Sequence, residues 1–230
     1  MNDARLFVAL PAPNDMQQDL VNAGRWLEQQ LREGTQHRRE NLPHPRAGSP
    51  TTKGRLRIRL IPPENIHLTL FFLGDTPTAE IPLVEQQLAQ VAGQLPPPRF
   101  RAGAGGVFPA RGAPRVAWCG VEDIDGSLCH TAEAVADALG RTLERFRPHF
   151  TLGYLKGLDH LGLVRPAVTA ACAEALRGPP QASSQPSPQA PTHTREQRFH
   201  TAKEMVLFES KLHPSGAEHV ALRRYAFAGA

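Results

Sequence analysis

His67-Leu68-Thr69-Leu70-Phe71-Phe72-Leu73 is the stretch on which the fold turns. With Ile66 it forms an apolar run that carries two polar side chains set two residues apart. Pro62–Pro63 stand in front of it and Gly74–Asp75 behind, so it reads as a buried strand between turns. The frame returns 82 residues later as His149-Phe150-Thr151-Leu152-Gly153-Tyr154-Leu155. Both copies read His, apolar, Thr, Leu, any residue, aromatic, Leu. In a chain with ten histidines a single His-x-Thr is an ordinary coincidence; a second copy inside a matched frame is not. The separation exceeds a solenoid period and predicts two similar lobes with one copy each.

Strand geometry gives the repeat its meaning. Side chains alternate faces, so His67 and Thr69 point the same way, roughly 6–7 Å apart along the strand. Strict alternation puts Phe71 on that same face and sends Leu68, Leu70 and Phe72 to the opposite layer. In the second copy it pairs His149 with Thr151 and turns Phe150, Leu152 and Tyr154 away. A His/Thr face on an otherwise apolar strand needs solvent or a ligand to satisfy it.

Outward from these strands, Arg5–Leu10 is a short apolar run stopped by Pro11, hence a buried strand. Asn14 caps a helix with Leu20, Val21, Trp26, Leu27 and Leu31 on one stripe and Gly34 at its end. Leu56–Ile61 reads as a strand. Thr76-Pro77 opens a helix through Ile81, Leu83, Val84, Leu88 and Val91. Strands follow at Arg99–Phe108 and Arg115–Val121, a helix at Ser127–Leu139, and the second motif strand at Pro148–Leu155. Leu158–Leu176 is helical in pattern, with Pro166 as a kink or break. The chain closes with strands at Glu204–Leu212 and Ala221–Phe227. Residues 35–54 have almost no apolar content, and 178–195 are rich in Pro, Ser and Gln, so both read as flexible insertions. The expectation is one domain over 1–230. It is α+β and bilobal, with two pseudo-symmetric lobes and mainly antiparallel sheets around a central cleft.

Bulk composition narrows the class. The 230 residues carry a net charge of +4, nearly all of the basic side being arginine; the only lysines are Lys53, Lys156, Lys203 and Lys211. Arginine's planar fork suits phosphate. Three cysteines, with no Cys-x-x-Cys pair, fit neither a disulfide framework nor a cysteine zinc site. The first residues do not read as a signal peptide, and no run approaches a membrane span, so a cytoplasmic monomer with no membrane partner is expected.

Two histidines on opposite walls of a cleft fit an in-line displacement at phosphorus. One imidazole takes a proton from the attacking water while the other gives one to the leaving oxygen. Thr69 and Thr151 hydroxyls can bind the non-bridging oxygens where charge grows. No metal or cofactor is called for, since neither His-x-x-x-His nor an acidic partner spacing is present.

The quoted strands, together with RLFVALP (5–11), PPENIHLTLFFLG (62–74), VFPARGAPRVAWCGV (107–121), RPHFTLGYL (147–155) and LFESKLHPSG (207–216), resemble the two-histidine (2H) phosphoesterase superfamily. The nearest branch is its RNA 2′,3′-cyclic phosphodiesterases, also called 2′-5′ RNA ligases. The resemblance implies a bilobal α+β fold and hydrolysis of 2′,3′-cyclic phosphate RNA ends, tRNA fragments among them, to 2′-phosphates. It also implies a weaker reverse joining through a 2′-5′ bond. By that analogy His67 is the proton donor and His149 the acceptor. Many relatives carry arginine where this chain has Phe71 and Tyr154. Arg59, Arg147 and Lys156 are the candidate substitutes for the missing cation, and Phe71 either stacks on a base or simply packs at the cleft edge. The competing readings are another 2H activity, on 2′-5′ oligonucleotides or cyclic nucleotides, and a non-catalytic RNA-binding module; retention of both histidines and both threonines weighs against the second.

Overall fold

The computed structural model describes residues 3–40, 56–157, 161–176, 198–213 and 216–230. In chain order these form β1 (Asp3–Pro11), α1 (Asn14–Glu40), β2 (Arg57–Leu60), β3 (His67–Pro77), α2 (Ile81–Ala92), β4 (Arg99–Phe108) and β5 (Val116–Asp123). α3 (Ser127–Ala138), β6 (His149–Lys156), α4 (Val164–Leu176), β7 (His200–Thr201), β8 (Glu204–His213) and β9 (Gly216–Ala226) complete the order. The strands make one curled antiparallel sheet in the order β7-β4-β5-β6-β3-β1-β8-β9, with β2 paired to the end of β6. The mixed α and antiparallel β architecture agrees with the sequence reading.

One sheet face and all four helices share a single core. Leu6, Val8 and Leu10 of β1 alternate into it, meeting Leu68 and Leu70 of β3 and Phe150 of β6. From α1 the stripe Met16, Leu20, Ala23, Leu27 and Leu31 is buried at helical spacing. Each such fully buried aliphatic side chain contributes roughly 1.5–3 kcal/mol of transfer free energy. On the other sheet face Phe7, Ala9, Val206 and Phe208 form a small buried apolar cluster.

Three boundaries depart from expectation. α1 does not stop at Gly34 but runs to Glu40, so the first six residues of the expected 35–54 loop are helical. A glycine inside a helix costs only about 1 kcal/mol. A Cβ at Gly34 would lie 3.0 Å from the Leu163 side chain, so this glycine permits close approach instead of ending the helix. The remainder of that segment, and all of 178–195, fall outside the described residues. β3 continues to Pro77, since β1 offers partners as far as Asp3; Pro77 then caps a 3₁₀ turn, Thr78–Glu80, that leads straight into α2 at Ile81 with Pro82 in its first turn, so the helical segment starts one or two residues after Thr76-Pro77. Pro166 neither kinks nor breaks a helix, because α4 starts at Val164 and leaves it in the first turn, where no intrahelical N–H partner is needed. The two-residue strand β7 has no counterpart in the sequence reading.

The two motif strands sit side by side at the centre of the sheet, joined by the single pair Leu68↔Phe150. Residues directly opposite on antiparallel strands point to the same face, here the core. The flanking residues therefore turn to the open face, with His67 across from Thr151 and Thr69 across from His149. Each strand then carries a bulge at the same frame position. Against β1, Ala9 pairs with Thr69 and Val8 with Phe71, which leaves Leu70 unmatched. Against β5, Trp118 pairs with Thr151 and Ala117 with Gly153, which leaves Leu152 unmatched. A bulge adds one residue to the strand and inverts the alternation beyond it. Leu70 and Phe71 both pack toward the core, and Phe72 emerges on the open face; Leu152 and Gly153 are both buried, and Tyr154 emerges likewise.

Candidate functional site

The inverted alternation assembles a groove of about 360 Å³ on the open face. His67, Thr69, His149 and Thr151 all line it, as does Arg59 of β2, so these five sequence-predicted residues are brought together. Arg5 adds a second guanidinium. Phe71 is not among the lining residues. Its parity is changed by the bulge at Leu70, it packs against the core, and Phe72 takes the groove position expected of it, 67% exposed. Tyr154, expected to turn away, lines the groove for the same reason. Lys156 is exposed at the far end of β6, paired with Arg57, and is not part of the lining.

The two histidines are anchored alike. His67 Nδ1 lies 2.8 Å from the carbonyl oxygen of Asn65, and His149 Nδ1 lies 2.6 Å from that of Arg147. In each case the acceptor is the main chain two residues upstream, so Nδ1 carries the hydrogen and Nε2 keeps the lone pair. Arg147 thus serves through its carbonyl. These anchors are main-chain groups, for which the sequence holds no side-chain signal.

Aromatic rings fix the imidazoles laterally. Phe7 and Phe208 approach His67 at 5.0 and 5.7 Å between centroids. Phe108 meets His149 edge-on at 5.1 Å, with Trp118 at 6.0 Å. Trp118 needs Gly106 opposite it, since a Cβ there would fall 2.2 Å from the indole ring. Arg59 lies over the Tyr154 ring at 5.1 Å, a cation–π contact that holds a guanidinium at the groove wall. Gly153 differs from its counterpart Phe71 for a packing reason: a Cβ would meet the Arg59 carbonyl oxygen at 2.7 Å, where β2 closes onto β6.

Burial decides the electrostatics. Desolvation lowers His67 to about 4, opposed by its bond to Asn65 and assisted by the neighbouring His219 and His149. Desolvation also lowers His149, with the Arg147 carbonyl opposing. Both are therefore neutral at pH 7 in the ligand-free protein. His219, a third imidazole lining the groove, lies on β9, and no repeat or spacing singled it out. Among the described residues no group of three or more His, Cys, Asp and Glu side chains is placed to hold a metal ion. No helix among them is long and apolar enough to cross a membrane.

Comparisons with known proteins follow the same lines. Residues 35–118 match the family described as LigT like Phosphoesterase. The chain is 34% identical over 103 residues to the RNA 2′,3′-cyclic phosphodiesterase of Archaeoglobus fulgidus, a match covering 43% of this chain and 57% of that one. It is 32% identical over 105 residues to the enzyme of the same name from Aquifex aeolicus, covering 43% and 56%. The chain thus spans a little over half the length of these relatives. In fold it is similar to a protein of Thermus thermophilus, with a TM-score of 0.61, 22% identity and 98% of each chain covered. It is also similar in fold to E. coli LigT crystallised with NADP+, with a TM-score of 0.52, 21% identity and coverage of 98% of this chain and 99% of that one.

Proposed function

We propose that the chain, which is similar to the LigT-like phosphoesterases over residues 35–118, is a phosphodiesterase that hydrolyses the 2′,3′-cyclic phosphate ends of RNA to 2′-phosphates, using His67 and His149 as acid and base. The observation that carries this reading is the cross-paired quartet about Leu68↔Phe150, in which each histidine stands across from the other motif's threonine. Two imidazoles with matched Nδ1 anchors then face one groove with hydroxyls between them.

The step balances as follows. Water attacks phosphorus, and its proton passes to Nε2 of His149. The P–O3′ bond breaks, and O3′ takes a proton from His67. A hydroxyl now stands at the 3′ position and a phosphate at the 2′ position. Thr69 and Thr151 donate to the non-bridging oxygens, with Arg5 and Arg59 supplying positive charge at the groove. Phe72 and Tyr154 offer ring faces to bases at the rim. His67 needs a proton it does not hold in the free protein, and the arriving phosphate anion raises its affinity for one. With the 5′-hydroxyl of a second RNA in place of water, the same steps leave a 2′-5′ bond.

The test is a product assay on short RNAs ending in 2′,3′-cyclic phosphate, in EDTA. The expected product is the 2′-phosphate. Conversion to the 3′-phosphate, or no conversion either with or without EDTA, overturns the reading, and conversion that occurs only without EDTA overturns the metal-free mechanism.

A further inference from the structure

β9 brings His219 beside Ser210 of β8, and both side chains line the groove. The His219 ring meets His67 edge-on, 5.2 Å between centroids at 89°, and meets Phe7 at 5.0 Å and 79°. Phe7 in turn stacks on Phe208 at 5.1 Å. The ring is thus held on two sides within a four-ring cluster. It also borders a smaller hollow of about 230 Å³ on the other side of His67, lined further by Pro11, Glu64 and Arg224. Of the residues near the reacting centre, His67, Asn65 and His219 line both spaces.

The protonation of this ring follows from its surroundings. His219 Nδ1 is buried and has no hydrogen-bond partner among the described residues. A neutral imidazole carries one N–H and one lone pair. A hydrogen on the enclosed nitrogen would be a donor with no acceptor in reach, whereas one on Nε2 can be satisfied from the groove, so the hydrogen sits on Nε2. Desolvation lowers the ring's proton affinity and keeps it neutral. His67 and His219 are therefore opposite tautomers: His67 offers a lone pair at Nε2, and His219 beside it offers an N–H.

We propose that His219 is a substrate-contacting residue, its Nε2–H donating a hydrogen bond to a non-bridging phosphoryl oxygen of the bound nucleotide on the His67 side of the groove. The proposal rests on the phosphodiesterase reading and extends it from two motif histidines to three imidazoles, the third supplied by a strand outside both repeats. A phosphoryl oxygen is the acceptor that suits this donor, since the neighbouring lone pair of His67 and the threonine hydroxyls already surround the place where phosphate must lie.

The experiment compares His219→Phe, which keeps a ring for the edge contacts and removes the donor, with His219→Gln, whose amide N–H reaches toward the place of Nε2. Calorimetry with adenosine 2′-monophosphate gives binding, and steady-state hydrolysis of a cyclic-phosphate dinucleotide gives kcat and KM. A hydrogen bond to a charged oxygen is worth roughly ten- to a hundredfold. The expected result is at least a roughly tenfold weaker nucleotide affinity and a matching loss of kcat/KM in His219→Phe, with His219→Gln recovering most of both. Unchanged affinity in His219→Phe overturns the proposal. Equal weakening in both variants also overturns it, because packing and not donation would then be the ring's contribution. Nucleotide binding that is lost in His219→Phe and restored in His219→Gln, without any cyclic-phosphate hydrolysis by the unaltered protein, leaves the contact standing and refutes the phosphodiesterase reading alone. No binding of the nucleotide by the unaltered protein refutes the contact.

Discussion

His67 should change its protonation state when phosphate arrives, and the size of the change can be worked out. Burial holds its ring at about 4 in the free protein, against an ordinary value of 6.5. At pH 7 only about one molecule in a thousand then carries the proton that the leaving oxygen requires. Bringing the ring to half-protonation at pH 7 needs a rise of about three units, or about 4 kcal/mol. A single negative charge about 4 Å from the imidazole supplies about 4 kcal/mol at the effective dielectric of a partly enclosed site. One phosphoryl oxygen in the groove is therefore sufficient. The assay is a histidine-ring NMR titration with 15N-labelled protein, with and without adenosine 2′-monophosphate, the His67 resonance being assigned from His67→Gln. The expected midpoint is near 4 without nucleotide and near 7 with it. A free midpoint close to 6.5 refutes the burial reasoning. A low midpoint that the nucleotide does not move refutes the donor role and makes His67 the proton acceptor.

The other predictions concern separate parts of the site. His67→Ala and His149→Ala should each lower kcat by roughly 10²–10⁴-fold, since each removes one partner of an acid–base pair; a variant at full rate would end the two-histidine mechanism. In the ligand-free protein the unfolded chain binds more protons than the folded one between pH 6.5 and 4. Stability from His67 is therefore present above 6.5 and lost as pH falls toward 4, by up to about 3 kcal/mol, readable as urea unfolding at several pH values in unaltered protein and in His67→Gln. Phe72→Ala should weaken RNA binding by about 1–3 kcal/mol with little change in Tm, because the ring is exposed at the groove. Phe71→Ala should do the reverse, lowering Tm with little change in KM, and an opposite pair of results would show that the bulge does not set the parity. Gly106→Ala should cost about 1–3 kcal/mol of stability and lower activity, as the new methyl displaces Trp118 from beside His149; an unchanged Tm would refute the close approach.

The sequence made the two motif strands legible because alternation runs undisturbed from His67 to Thr69 and from His149 to Thr151. Three residues are enough to place a histidine and a threonine on one face. Beyond them the reading failed for a single physical reason. A bulge is a property of pairing between strands, and neither Leu70 nor Leu152 looks different from any other strand leucine. Strict alternation therefore puts Phe71 where Phe72 stands and turns Tyr154 away from the groove that it lines. The Nδ1 anchors have no sequence signal because carbonyl groups are common to every residue. His219 escaped because only the order β3-β1-β8-β9 carries a ring from the last strand to the first motif. Arg59 was legible as a nearby cation but not as the partner of Tyr154.

The twin bulges also divide each strand by task. On the amino-terminal side of Leu70 and Leu152 stand the histidine and threonine of each motif; on the carboxy-terminal side Phe72 and Tyr154 face the same groove. The residue at the bulge itself is clamped in the core and insulates one from the other. Position 72 or 154 can be exchanged for a ring, a cation or a small side chain while the imidazoles keep their anchors and their spacing. A scaffold built this way can acquire a new clientele by single substitutions while keeping the same reaction, and a designer wishing to redirect it would edit the two strands five residues beyond each histidine.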